Sequence, residues 1–170
     1  MSSRLQSPVS AFALAITAAV AALGFLGTEV AAAESGKKGR GTVPVAPAPS
    51  TGERAVRIAV EAVGIPYRWG GESPSSGFDC SGLVRWAYGR VGIDLPHSSY
   101  ALYSEGRRVP EARMEPGDLL FFEGLGHVGL YLGRGRMVHA PQSGRDVEVV
   151  RLGNTGYGGR LIGARRVVPA

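Results

Sequence analysis

At 170 residues, with 44% apolar and 19% charged side chains, the chain has room for one globular domain and about 50 further residues, not for two full domains. Gly 26 and Pro 11 together exceed a fifth of it, which argues against a helical bundle or coiled coil, and a net charge of +5 suits an anionic partner: nucleic acid, a lipid surface or an acidic wall polymer. A single cysteine, Cys80, excludes an intramolecular disulfide framework and every multi-cysteine metal motif.

Residues 1–33 have the pattern of an export signal. Arg4 precedes an uncharged stretch whose core runs from Ala11 to Leu26, and Ala31-Ala32-Ala33 supplies a small-residue cleavage site before Glu34. An uncleaved anchor is the alternative, since Leu5 to Thr28 is 24 residues without a charge. Residues 34–50 carry too few large apolar groups to fold and end in a Pro-Ala alternation, so they are expected to be an extended linker. Lys37, Lys38 and Arg40 within it read as solvated charges. The folded domain is expected over 51–170.

Ser50 with Glu53 forms a capping-box signature, and Val56, Ala59, Val60 and Val63 follow at helical spacing until Gly64 and Pro66 stop the run, predicting a helix over 52–63. A second helix is expected from Asp79, with Cys80, Leu83, Val84, Ala87, Tyr88 and Val91 on one face and Gly92 at its end. A short third covers Ser99 to Glu105. After Pro116-Gly117 the pattern changes to short apolar runs: Leu119 to Phe122, Val128 to Leu132, Met137 to Ala140, Val147 to Leu152 and Leu161 to Val168. Their connections are too short for helical crossovers, so a mostly antiparallel sheet and an α+β fold are expected.

Asp79 as N-cap places Cys80 in the first helical turn, where unpaired N–H groups and the positive end of the dipole lower a thiol's pKa. On position alone a small buried hydrophobe is an equal reading of this cysteine. Export favours reactivity, because an unpaired thiol in an oxidising compartment is exposed to oxidation.

A thiol nucleophile needs a base. His127 opens the run His-Val-Gly-Leu-Tyr-Leu and His139 closes Arg-Met-Val-His, with Gly133-Arg134-Gly135 as a three-residue hairpin loop. If Leu132 pairs with Arg136, Tyr131 faces Met137 and Gly129 faces His139, and alternation puts both histidines on one face. They are then diagonal cross-strand neighbours, about 7–8 Å apart at the backbone, with Gly129 leaving room between them. This suits a base held by a second polar group. His97, in Leu-Pro-His-Ser-Ser, has no partner visible in the sequence and reads as an ordinary loop residue. One cysteine and two histidines would also make a three-ligand zinc set, but no carboxylate is spaced to support it, and no metal is expected.

The strings PYRWGG (Pro66 to Gly71), FDCSGLVRWAY (Phe78 to Tyr88), LPHSS (Leu95 to Ser99), PGDLLFF (Pro116 to Phe122), HVGLYLG (His127 to Gly133) and MVHAP (Met137 to Pro141) resemble, in that order, the NlpC-type family of bacterial cell-wall peptidases. The resemblance implies a papain-like α+β fold, with the nucleophile at a helix start packed on the sheet. It also implies hydrolysis of peptidoglycan stem peptides, most often between D-glutamate and a diamino acid. It maps the nucleophile to Cys80, the base to His127 and the third polar residue to His139. Tyr67 corresponds to the tyrosine beside the nucleophile, while Asp79 and Ser81 are expected to help hold the N-terminal side of the stem peptide. Leu102 departs from the family, where a glutamine is common.

The expectation is therefore a secreted cysteine endopeptidase of the cell wall or periplasm. No cofactor, no nucleic-acid partner and no stable membrane contact after signal cleavage are expected, only weak contact with anionic wall polymers. An N-acetylmuramoyl-L-alanine amidase, or a non-catalytic wall-binding domain of the same fold, is the alternative.

Overall fold

The computed structural model describes residues 47–168. The expected export signal and most of the expected linker lie outside them. Helix α1 (Thr51–Glu61) opens with the reciprocal capping box: Ser50 Oγ accepts from the Glu53 N–H at 3.1 Å, and the Glu53 carboxylate accepts from the Ser50 N–H at 2.7 Å. It ends two residues short of the expected Val63. Ala62 and Val63 form tighter turns, and Gly64 at φ +89° lets the chain leave with its N–H on the Val147 carbonyl.

A two-stranded ladder, β1 (Glu72–Ser73) with β2 (Gly77–Phe78), leads into helix α2 (Cys80–Gly89). Asp79 caps α2 by accepting from the Gly82 N–H at 2.7 Å. The expected continuation to Val91 is a pair of turns that Gly92 closes at φ +89°. Helix α3 is only Ser99–Leu102, not the expected 99–105, since the chain unwinds through turns to Gly106 at φ +64°.

The remaining strands, β3 (Arg107–Val109), β4 (Leu119–Phe122), β5 (Val128–Gly133), β6 (Arg136–His139), β7 (Glu148–Arg151) and β8 (Leu161–Arg166), form one antiparallel sheet in the order β3-β8-β4-β5-β6-β7. The fold is thus α+β, as the pattern of the chain indicates. Strand β3 and the β1-β2 ladder were not expected. Two or three residues, mostly polar, carry no readable periodicity.

The β5-β6 hairpin needs one correction. Tyr131 pairs with Met137 as expected, but Gly133, not Leu132, pairs with Arg136, so the register shifts at Leu132. The loop is accordingly two residues, Arg134 at φ +54° and Gly135 at φ +67°, both in the left-handed region that a type I′ turn requires. The histidine end of the hairpin keeps the expected phase because the bulge lies beyond Tyr131.

Strand alternation divides the core. Leu119, Phe121, Val128, Leu130 and Val138 pack against Ala55, Val56 and Ala59 of α1 and Leu83, Val84 and Ala87 of α2. On the opposite face Leu120, Phe122, Met137 and Ala164 form a second cluster with Val109 and Leu152. Helix α2 can lie close because its first turn meets a glycine: a Cβ on Gly82 would stand 2.0 Å from the Gly71 carbonyl oxygen.

Candidate active site

The start of α2 and the start of β5 meet at a cleft of about 580 Å³ lined by Tyr67, Asp79, Cys80, Ser81, His97 and His127, with Trp69 and Tyr100 among the other wall residues. Each element is held there by identifiable contacts. The Pro66–Gly71 loop is stitched down by the Tyr67 N–H on the Arg145 carbonyl (2.8 Å) and the Arg68 N–H on the Phe78 carbonyl (2.9 Å). The turn before His127 contains Gly124 at φ +77° and Leu125 at φ +54°, a backbone state uncommon for leucine. Helix α3 holds it: Ser99 Oγ donates to the Leu125 carbonyl at 2.6 Å and the Tyr100 hydroxyl to the Gly124 carbonyl at 2.9 Å.

Cys80 is half-buried at the first position of α2. Burial pushes its thiol above the ordinary value, and the Asp79 charge acts in the same direction. The backbone N–H groups of Val128, Ser81 and Cys80 itself oppose them and lose. The lowered thiol pKa expected from the helix start is therefore corrected. The donors are present, but desolvation outweighs them.

Nε2 of His127 lies 2.8 Å from Nδ1 of His139, so the two imidazoles meet as the hairpin face requires. His139 is completely buried, and its Nε2 faces Oε1 of Glu148 at 3.4 Å. Burial lowers both pKa values, aided for His127 by His139 and Arg160 and for His139 by Arg145, so both rings are neutral near neutral pH. The Tyr157 ring stacks on His127 (5.6 Å between centroids) and stands edge-on to His139 (5.0 Å). Gly129 makes the close approach feasible, because a Cβ there would sit 3.3 Å from Cβ of His139 and 3.0 Å from the Met137 sulfur.

Asp79 and Ser81 are buried, and both are committed within the fold. Asp79 Oδ1 accepts from the Gly82 N–H and from Ser81 Oγ (3.0 Å), and Oδ2 accepts from the Gly70 N–H at 2.8 Å. Burial works to raise this carboxyl's pKa, but the N–H donors of Gly82 and Gly70 together with His97 hold it below the ordinary range. His97 is corrected from loop residue to cleft wall. Its Nε2 lies 2.9 and 3.0 Å from the two Asp79 oxygens, and its Nδ1 is 3.4 Å from Glu72. Tyr67 is nearly buried, and desolvation, with the Cys80 and Asp79 charges, raises its pKa and keeps the phenol protonated.

Sequence reasoning missed His97, Glu148 and Tyr157. His97 finds its partner 18 residues away through an irregular turn. Glu148 stands opposite His139 in the β6-β7 register, which the long connection 140–147 concealed. Among the described residues no group of three or more His, Cys, Asp or Glu is arranged to hold a metal.

The sequence profile of the NlpC/P60 family matches residues 64–166. The chain is similar to a probable endopeptidase of Mycobacterium tuberculosis, 48% identical over 102 residues that cover 59% of this chain and 26% of that protein. It is also similar to the murein DD-endopeptidase MepH of Escherichia coli, 35% identical over 128 residues covering 68% and 47%. Among solved structures, an NlpC/P60 family protein from Bacillus cereus superposes with a TM-score of 0.67 at 35% identity, over 72% of this chain and 42% of that one. The chain thus spans between a quarter and a half of the length of these relatives.

Proposed function

The chain belongs to the NlpC/P60 family, and from that premise we propose that it is an exported cysteine endopeptidase that hydrolyses peptidoglycan stem peptides at the D-glutamyl to diamino acid bond. The observation that carries the reading is the half-buried Cys80 at the helix start in one cleft with His127, with the buried His139 bonded behind it.

Nε2 of His127 is engaged by His139, which leaves Nδ1 as the nitrogen available to the thiol. Because Cys80 rests as a thiol and His127 as a neutral ring, proton transfer accompanies attack. As Sγ bonds to the scissile carbonyl carbon, its proton passes to Nδ1. The tetrahedral oxyanion takes hydrogen bonds from the N–H groups of the helix start and from the protonated Tyr67 hydroxyl. His127 then gives its proton to the leaving amine as the C–N bond breaks. Water attacks the thioester, His127 takes one of its protons, and that proton returns to sulfur as the acid product leaves. Asp79 and Ser81 line the cleft wall, and the oxygen lone pairs that their internal hydrogen bonds leave over hold the amino-terminal side of the stem.

Export rests on residues 1–33, with cleavage after Ala33 and residues 34–50 as a linker to the domain at 51–170. The net charge of +5 favours weak contact with anionic wall polymers. The test is mass spectrometry of fragments released from purified peptidoglycan by the wild-type protein and by Cys80→Ala. New D-glutamyl carboxyl ends that vanish in the variant are expected. Products of a DD cut, the activity named for the Escherichia coli relative, would move the bond, a freed lactyl group on the sugar would mark an amidase, and equal release by the variant would overturn the reading.

A further inference from the structure

We propose that Glu148 is a positioning residue for the two histidines: its carboxylate takes the Nε2–H of His139 and so fixes the tautomer that leaves Nδ1 of His127 open toward Cys80. This deepens the endopeptidase reading and rests on it for its kinetic consequence.

Among the described residues, Nε2 of His139 is the buried side-chain nitrogen or oxygen left without a hydrogen-bond partner. Buried polar atoms are rarely left so. The group nearest to satisfying it is a carboxylate. Glu148 is the residue directly opposite His139 across the β6-β7 pair, and its Oε1 lies 3.4 Å from that nitrogen. Its other oxygen is fixed by Nη2 of Arg145 at 2.6 Å, so the carboxylate can pivot about that contact toward the ring. Catalytic hydrogen bonds are often long in the free protein and tighten once substrate is bound.

The chemistry of the pair gives the contact its meaning. In the 2.8 Å contact between His127 Nε2 and His139 Nδ1, one nitrogen must donate and the other accept. A carboxylate only accepts. With Glu148 on Nε2–H of His139, the neutral ring has a lone pair at Nδ1, so His127 must donate from Nε2 and keep its own lone pair at Nδ1. The opposite polarity would aim a lone pair of His139 at a carboxylate and put the proton of His127 on the nitrogen needed as base. When His127 takes the thiol proton, Arg160 disfavours the new positive charge there, and Arg145 disfavours any share of it on His139. Tyr157 and Phe122 line the rest of that space. Glu148 is the carboxylate facing the pair.

The test uses the full chain as wild type, Glu148→Gln and Glu148→Ala, with 15N-detected imidazole NMR of the substrate-free protein and kcat and KM on one stem peptide across pH. Wild type is expected to carry protons at Nε2 of both rings. Glu148→Ala should show mixed tautomers and a kcat lower by roughly 10- to 100-fold, a fraction of what a general base contributes, with KM nearly unchanged. The glutamine, whose amide oxygen still accepts, should restore the tautomers and part of the rate. The protonated imidazole should form at lower pH in Glu148→Ala than in wild type. A wild-type spectrum with the proton on Nδ1 of His127, or Glu148→Ala with wild-type tautomers and kcat, would overturn the proposal. If the alanine variant fails to fold, the wild-type tautomers and the glutamine titration decide: the uncharged amide should make the protonated imidazole form at lower pH than in wild type, and an unchanged titration would overturn the proposal. Absence of any stem-peptide cleavage by wild type would instead count against the endopeptidase reading, and the tautomer arm would still judge Glu148.

Discussion

A thiol at the first position of a helix is pulled in two directions, toward ionisation by the free N–H groups and away from it by burial, and in Cys80 burial prevails. Alkylation by iodoacetamide should therefore accelerate with rising pH up to and beyond the ordinary thiol range. A rate already on a plateau in weak acid would mean that the thiolate is present at rest. His127 and His139 differ in the same local terms, since His127 lines the cleft with Cys80 while His139 is buried behind it, between His127 and Glu148. His127→Ala should lose roughly 10² to 10⁴-fold in kcat/KM, while His139→Ala stays measurable and His139→Asn or His139→Gln recovers part of the loss. The reverse order of severity would reassign the proton carrier. Cys80, His127 and His139 could be singled out in the sequence because a capping residue and strand alternation are local patterns. His97 could not, because its partner Asp79 is reached only through tertiary structure, and Tyr67 emerged only through family resemblance.

Elements meet in this molecule through glycine. The first turn of α2 rests on the Pro66–Gly71 loop only because position 82 has no side chain, the Gly71 carbonyl being 2.0 Å from where a Cβ would stand. Neither side of that contact is a flexible side chain, so Gly82→Ala must displace backbone at the helix start that carries Asp79 and Cys80. Stability should fall by about 1–3 kcal/mol and turnover more than proportionately, read from urea melts and from kcat on one stem peptide. Unchanged turnover in a destabilised variant would separate the helix start from the chemistry. Helix starts were legible in the chain because Ser50 and Asp79 are strong caps. Helix ends were not, because the last turns of α1, α2 and α3 loosen gradually toward Gly64, Gly92 and Gly106, and no single residue marks where the i to i−4 bonding stops.

Across the whole molecule, helices first and strands after was enough to give the fold class. The placement of β8 between β3 and β4 was not readable, since β3 is three residues long and two of them are exposed arginines. The assembled fold also sets how the protein answers acid. His127 and His139 are held neutral, with pKa values below that of the unfolded chain, so as pH falls through the ordinary imidazole range, near ~6.5, the unfolded state binds protons that the folded state refuses. Stability must decline there. Asp79, whose folded pKa is depressed, adds a further loss at lower pH, through the carboxylate range. Urea midpoints should drop from pH 7 to pH 5 and drop further below, and a flat midpoint between 7 and 5 would show that the rings accept protons inside the fold. Finally, the chain has two tryptophans in contrasting settings: Trp69 is 90% exposed on the cleft wall, while Trp86 packs on Phe78 with ring centroids 5.0 Å apart. The protein therefore carries its own optical gauge of occupancy. A ligand that fills the cleft of Cys80→Ala should shift the emission of Trp69 to the blue and shield it from acrylamide while Trp86 stays constant, so that binding can be titrated without label, turnover or modified substrate.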